Sequence, residues 1–593
     1  MRLVLLCLAP ILGLSQAQDW THYGADATGS KYSPLRQIHR RNVTKLTIAW
    51  TYSTGEASDG KTLPIRTAFE ATPLAIGGVL FFTTPFNRVI ALDAATGKEL
   101  WTYDPKLDRT RTYSLYISRG LTYWTNGPLK RILFGTLDGR LLCLNAPDGA
   151  LVWEISLRAN FADKFPTRGY GVTSPPATYK NLVIAGSLAS DGEPQGPSGD
   201  VRAFDIATGK PVWRFHVVPG PGEFGHDTWP PGSTVDRGGA NAWAPLTVDE
   251  PNDLVFLPLT SPATDRFGGD RHGDNLFGNS LVALCASTGE RVWHQQLVRH
   301  DIWDYDLPAQ PNLFSLKGQP YVGQVTKMGL LFLFNRLTGA PLFPIEQRPV
   351  PASAVPGEKT APTQPFPSLP PPFARNSFTP EEIRTDSPYC QALLKDLTTG
   401  GPYTPVGMKT TVVFPGTNGG ANWGGASIDP RTNTLYVNSM DVGIFARMVM
   451  RNAREMPRSR GGGTIDGRFW DKDLKPCQKP PWGHLTAINL HTGSFRWQSI
   501  LGSPKTGSPN IGGSIVTAGG LVLIGATNDS RFRAFHSGTG KLLWETPLPA
   551  SAFATPMTYT AGPGNKQFIV VAAGGGNDYQ DSVSDKLIAF RLP

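Results

Sequence analysis

The sequence predicts an all-β chain folded as an eight-bladed β-propeller, and three observations carry that prediction. Only 17% of the 593 residues are charged while Gly and Pro number 65 and 53, a composition rich in turns and poor in long amphipathic helices. An eleven-residue pattern recurs seven times. Most intervals between its copies match the length of a four-stranded blade.

The copies are ALDAATGKELW (91–101), CLNAPDGALVW (143–153), AFDIATGKPVW (203–213), ALCASTGERVW (283–293), LFNRLTGAPLF (333–343), AINLHTGSFRW (487–497) and AFHSGTGKLLW (534–544). Each reads as a strand, a tight turn with Gly where positive φ is needed, and a strand ending in a large aromatic. The terminal ring has to be buried against a neighbouring unit. Trp50, in KLTIAW, precedes the series. The gap from Phe343 to Trp497 is too long for one unit, so it is expected to hold a degenerate eighth blade around ASIDPRTNTLYVNS (426–439), with excursions at 344–410 and 441–482. A short helix is expected around 386–397.

Ahead of the repeats, MRLVLLCLAPILGLSQA carries one positive charge, an apolar run from Leu3 to Leu14 and a small-residue cleavage signature at Ser15–Ala17. This predicts a signal peptide over 1–17, a mature start at Gln18 and a periplasmic or secreted protein. The apolar run is too short to span a bilayer, so no transmembrane anchor is expected in the mature chain. The formal charge of +9 is scattered rather than clustered, which argues for a solvated basic surface and no nucleic-acid partner. Of the cysteines beyond Cys7, Cys390 and Cys477 fall in irregular Pro-rich segments where a disulfide would matter most, whereas Cys143 and Cys285 sit in apolar strand patterns as small hydrophobes. No C-x-x-C-H occurs, so the chain encodes no attachment site for a c-type haem.

The repeat form A-x-D-x-x-T-G-x-x-x-W resembles the tryptophan-docking motif of the quinoprotein alcohol and sugar dehydrogenases, eight-bladed propellers that carry pyrroloquinoline quinone (PQQ). The resemblance runs from DWTHYGADATGSKYSPLRQI through the repeats and includes HDIWDYDLPAQP, TQPFPS, TVVFPG, NWGGASIDP and ATPMTY, stretches most similar to membrane-type quinoprotein glucose dehydrogenase. It implies PQQ-dependent oxidation of an alcohol group of a sugar, polyol or alcohol, with electrons passed to ubiquinone or a separate cytochrome c. A non-catalytic propeller, for sugar binding or protein assembly, is the alternative.

By the same resemblance Trp243 is the ring on which the quinone stacks, and Glu70, Arg119, Thr173, Asn422 and Trp423 hold its carboxylates and rim. Arg119 suits that task because a guanidinium pairs with a carboxylate through two hydrogen bonds. Asp191, Ser261, Asp304 and Asp306 are the implied cation ligands, with Glu193 in reserve for Asp191. Oxygen donors of this kind suit calcium, with magnesium or a lanthanide as alternatives. Asp304, directly after Trp303, is the implied catalytic base, and Lys327 the cation that faces the quinone oxygens. If HDIWDYD is extended, Asp306 shares a face with Asp304 while Asp301 points away as a structural acid paired with His300 or Arg299. Two departures stand out: Phe86 occupies the place of a histidine of the glucose-oxidising branch, and Ser114–Leu115 that of the adjacent cysteines of methanol dehydrogenases.

Overall fold

The computed structural model describes residues 18–593 apart from 160, 162, 166–168, 450–457, 461–466 and 577–581, so the expected signal peptide lies outside the described residues. Eight antiparallel sheets follow one another as blades: 74–103, 122–156, 177–215, 247–296, 312–335, 426–500, 514–547, and 557–591 completed by 47–53. Blade 5 has three full strands, its fourth reduced to a bridge between Phe334 and Pro341.

The eighth blade is not where the sequence places it. The segment 426–439 supplies the first two strands of blade 6, whose last two strands are the 487–497 repeat, so the excursion is inserted inside that blade. The missing blade is built from the two chain ends: Thr47–Ser53 pairs antiparallel with Val583–Arg591, placing Trp50 opposite Ala589. A gap in a repeat pattern looks the same whether a blade is degenerate or interrupted, and pairing of distant ends leaves no local periodicity.

Each repeat glycine sits in the left-handed region, with φ between 69° and 77°. The reason becomes clear from its neighbour. A Cβ on Gly97 would lie 2.7 Å from the ring of Trp50, on Gly149 2.6 Å from Trp101, on Gly289 2.7 Å from Trp213, and on Gly540 2.5 Å from Trp497. Except where Trp544 packs edge-on against Phe590, ring centres 5.7 Å apart, at seven of the eight junctions a blade therefore lays its aromatic ring on the bare glycine of the next. The indole N–H completes the joint by donating to that blade's backbone: Trp153 to Ile206 O at 2.8 Å, Trp213 to Ala286 O at 3.0 Å, Trp293 to Arg336 O at 3.0 Å and Trp497 to Ser537 O at 2.9 Å. A Cβ on Gly493 would likewise lie 3.3 Å from the ring of Phe343, which makes blade 6 the direct neighbour of blade 5.

The two excursions pack on each other. A hairpin pairs Ile345–Pro349 with Thr363–Pro367, and the helix Pro388–Leu393 carries Cys390, which is disulfide-bonded to Cys477. Phe378, Phe414 and Phe469 bury around that bond, and Arg384 reaches Asp471 at 2.9 Å. Cys143 is buried as expected, whereas Cys285 is only partly covered and points its thiol at Asp253 and Ser287. No helix among the described residues is long and apolar enough to cross a membrane.

The docking contact predicts a contrast between two glycines. Gly289→Ala carries both the left-handed strain and the collision with Trp213, whereas Gly78→Ala, at φ 83° with no atom within 4 Å of the added carbon, carries strain alone. Denaturant unfolding is expected to show Gly289→Ala less stable than Gly78→Ala by at least about 1 kcal/mol, the usual cost of overpacking. Equal losses would mean that the glycine serves the turn and not the ring.

Candidate active site

Strands alternate in direction within each blade, so the loops joining one blade to the next share an end of the propeller with the loops joining second to third strands. Glu70, Arg119, Thr173, Trp243, Asp304, Asp306, Asn422 and Trp423 lie in loops of the first kind, and Asp191, Ser261 and Lys327 in loops of the second. All the residues expected from sequence thus emerge at one end.

Five of them form an aromatic and ionic cradle. Arg119 is ion-paired to the buried Glu70 at 3.3 Å and donates from Nη1 to Thr173 Oγ1 at 3.1 Å. Its guanidinium lies 5.1 Å from the ring centre of Trp243 and 5.0 Å from that of Trp423. Trp423 is backed by Trp470, Trp482 and Phe553, with Trp243 at the edge of the same cluster. The buried Nε1 of Trp423 has no hydrogen-bond partner among the described residues. Asn422 holds the loop itself, accepting from Trp423 N at 2.7 Å and donating to Asn418 O at 3.0 Å.

A second group converges on Lys327. Its ammonium donates to Asp304 Oδ1 at 3.1 Å, to Asp304 O at 2.9 Å and to Asp306 Oδ2 at 3.0 Å. Trp243 Nε1 joins the two groups, donating to Asp306 Oδ2 at 3.2 Å. Burial alone would lower the Lys327 pKa, but Asp304 and Asp306 override it and hold the ammonium above the ordinary lysine range.

The segment 300–306 is not extended. Asp304 takes a left-handed backbone, φ 62°, and the chain winds around the buried Asp301. That carboxylate accepts from Trp303 N at 2.9 Å, Tyr305 N at 2.8 Å, Asn279 Nδ2 at 2.8 Å and the Ser261 hydroxyl. His300 pairs instead with Glu358 at 2.8 Å, and Arg299 with Thr363 and Gln364, so neither partners Asp301. Trp303 and Tyr305 anchor the segment by donating to Thr404 O and Pro415 O, at 3.0 and 2.9 Å. Ser261 also donates its backbone N–H to Asp306 Oδ1 at 2.9 Å.

Two residues passed over in the sequence belong here. Arg266 approaches Asp304 Oδ2 at 3.9 Å, and Asp265 adds a further negative charge felt by both Asp304 and Asp191. The adjacent acid and base in SPATDRF were the available signal. Burial, reinforced by Asp265 and Asp306, pushes the Asp191 carboxyl up to about 7. Asp304 is raised well above the usual carboxylate range by burial and by Asp306 and Asp265, against the opposing pull of Lys327 and Arg266. Four carboxyl groups face two cations, and a hard divalent cation among them would favour their ionised forms. Among the described residues no three acidic, imidazole or thiol groups meet closely enough to hold an ion by themselves.

The profile of the family "PQQ: Glucose/ethanol/alcohol dehydrogenase, beta-propeller domain" matches residues 20–569. The chain belongs to this family. Quinoprotein glucose dehydrogenase of Escherichia coli K12 is 33% identical across 97% of this chain and 79% of its own. The quinate/shikimate dehydrogenase (quinone) of Acinetobacter baylyi is 32% identical across 99% and 80%. Among solved structures, quinohemoprotein alcohol dehydrogenase ADHIIG of Pseudomonas putida HK5 superposes with a TM-score of 0.74 at 26% identity, covering 97% of this chain and 80% of that one. The chain is therefore a PQQ-dependent dehydrogenase.

In this quinoprotein Asp301 acts as a peg for the loop that presents Asp304 and Asp306. Asp301→Ala strands two buried backbone N–H groups and is expected to cost about 3 kcal/mol of stability, read as a lowered unfolding midpoint. Asp304→Asn, which strands none, is expected to unfold within about 1 kcal/mol of the parent. An Asp301→Ala protein as stable as its parent would remove the peg.

Proposed function

We propose that this quinoprotein oxidises an alcohol group of a sugar, polyol or simple alcohol. The observation that carries the reading is the Asp304–Lys327–Asp306 cluster, joined through Trp243 to the Arg119 cradle. When bound, PQQ supplies the two-electron acceptor and the cation polarises its reactive carbonyl. The rings of Trp243 and Trp423 around the Arg119 guanidinium suit a planar anionic cofactor, and the orphaned Trp423 Nε1 would find an acceptor on it. Asn422 would support that rim.

Asp304 takes the proton of the substrate hydroxyl in this reading. Burial and Asp306 raise its proton affinity, whereas Lys327, Arg266 and a bound cation would pull it down and keep the carboxylate ionised to accept that proton. Lys327 stays charged and stabilises negative charge that develops beside it. Asp191, Asp304 and Asp306 would hold the cation, calcium first, with magnesium or a lanthanide as alternatives. Ser261 would join only by turning its hydroxyl from Asp301.

A cavity of about 310 Å³ lined by Tyr113, Ser114, Tyr170 and Asp191 offers a route for a substrate of sugar size. Phe86, buried edge-on against Tyr116 with Arg109 at 4.2 Å, makes the neighbouring wall apolar where a glucose-oxidising site would present a histidine. Relatives are named for glucose, quinate or shikimate, and glycerol, so a panel of these is the first assay. The acceptor we propose is ubiquinone or a separate cytochrome c, and the place of action the periplasm or exterior.

Reconstitution with PQQ and calcium is expected to give cofactor absorbance and substrate-dependent dye reduction. Asp304→Asn should keep the absorbance and lose turnover by at least about 100-fold, and Asp191→Ala should release PQQ more readily. Full turnover in Asp304→Asn would strip it of the role of base; no PQQ uptake with any cation would sink the enzyme reading.

A further inference from the structure

At the other end of the propeller, where the first–second and third–fourth strand turns gather, blades 6 and 7 and the segment 36–41 border an open cavity of about 570 Å³. Arg36, Arg40, Arg41, Arg431 and Arg496 line it, and Asp429 is the carboxylate among its described lining residues. Two of these guanidiniums are held in place. Asp429 takes Arg431 through two bonds, at 3.0 and 2.8 Å, and Arg496 Nη2 donates to Thr432 O at 3.1 Å.

The repeat shows that this basic lining is not a by-product of the scaffold. The residue before the terminal aromatic is Leu100, Val152, Val212, Val292, Leu342 and Leu543 in six copies, but Arg496 in blade 6. The third repeat position is Asp93, Asp205 and Asn335 in blades 1, 3 and 5, whose side-chain oxygens accept a turn N–H at 2.8, 2.9 and 3.2 Å. Blade 7 has His536 there. Its Nδ1 takes over the cap, accepting from Gly538 N at 3.0 Å, and Nε2 faces Arg40 in the cavity. Two departures from the repeat, on different blades, thus put basic side chains into one cavity while the turns they replace stay capped.

We infer that this cavity is a binding site for an anion bearing two or more closely spaced phosphate groups. Guanidinium forks match phosphate oxygens in pairs, and the volume exceeds what one phosphate would fill. Gly519, Gly520 and Gly538 in its wall let a tetrahedral group come close to the backbone. The site is separate from the Asp304–Lys327 cluster by the length of the blades, so its ligand is not the substrate that is oxidised. Free diphosphates and phosphorylated lipid headgroups share this chemistry.

The test uses the full chain loaded with PQQ and calcium. After free calcium is removed by dialysis, inorganic pyrophosphate is titrated by calorimetry at low and moderate salt, and vesicles of phosphatidylcholine with or without phosphatidylinositol 4,5-bisphosphate, whose headgroup carries two neighbouring phosphates, are tested by co-sedimentation. The variant Arg496→Leu with His536→Asn restores the repeat residues at both places and should leave melting temperature and dye reduction unchanged. Parent binding to pyrophosphate that falls roughly tenfold in the variant supports the site and assigns it to soluble diphosphates. Retention on anionic but not neutral vesicles, lost in the variant while pyrophosphate binds poorly, supports it with a lipid headgroup as the source. Failure of both probes to bind, or binding unaltered in the variant, overturns it.

Discussion

The structure depends on one contact repeated around a ring: an aromatic side chain of one blade lying flat on a glycine of the next. The glycine supplies both the left-handed turn and the bare surface, and the indole N–H fixes the ring's orientation by reaching across to the neighbour's backbone. Because the contact recurs at one place in each repeat, it sets the angle between blades, and the angle sets how many blades close the circle. The site at the axis inherits its geometry from that angle. Glu70 and Asn422 belong to loops hundreds of residues apart, yet both emerge at the same end because the blades between them are registered by rings and glycines.

Within the site, precision comes from a buried carboxylate that does no chemistry. Asp301 gathers the backbone of the following loop, and this curvature aims Asp304 and Asp306 at the same ammonium. Two carboxylates and a lysine in so dry a setting are costly unless each satisfies the others. Asp191 and Asp265 add further acidic groups beside this cluster.

Much of this was legible in the sequence, and the limits have physical causes. Seven blades followed from the repeats because each hairpin carries its own turn glycine and terminal ring, whereas the eighth was counted from 426–439, which belongs to blade 6. The make-up of the eighth blade did not, since pairing Thr47–Ser53 with Val583–Arg591 is non-local and leaves no period to count. The residues expected at the site lie at one end of the axis, but the shape of 300–306 was misjudged: alternation of faces holds only for extended chain, and Asp304 adopts a left-handed backbone. Arg266 and Asp265 escaped notice because charged neighbours in a loop look like solvent-facing residues until the fold buries them. The partners of Asp301 were misread for the same reason, as neighbours in sequence were taken for neighbours in space.

The blade shared by the two chain ends has a temporal meaning. The strand containing Trp50 takes its backbone ladder, among the described residues, from Val583–Arg591 near the other end of the sequence. Seven blades can assemble in order as the chain lengthens, but the circle stays open until the last strand arrives. A contact of such sequence separation forms late and slowly. The axis, and the pocket at its end, is thus among the last things this polypeptide makes, so a truncated or unfinished chain has no cavity in which to trap a quinone.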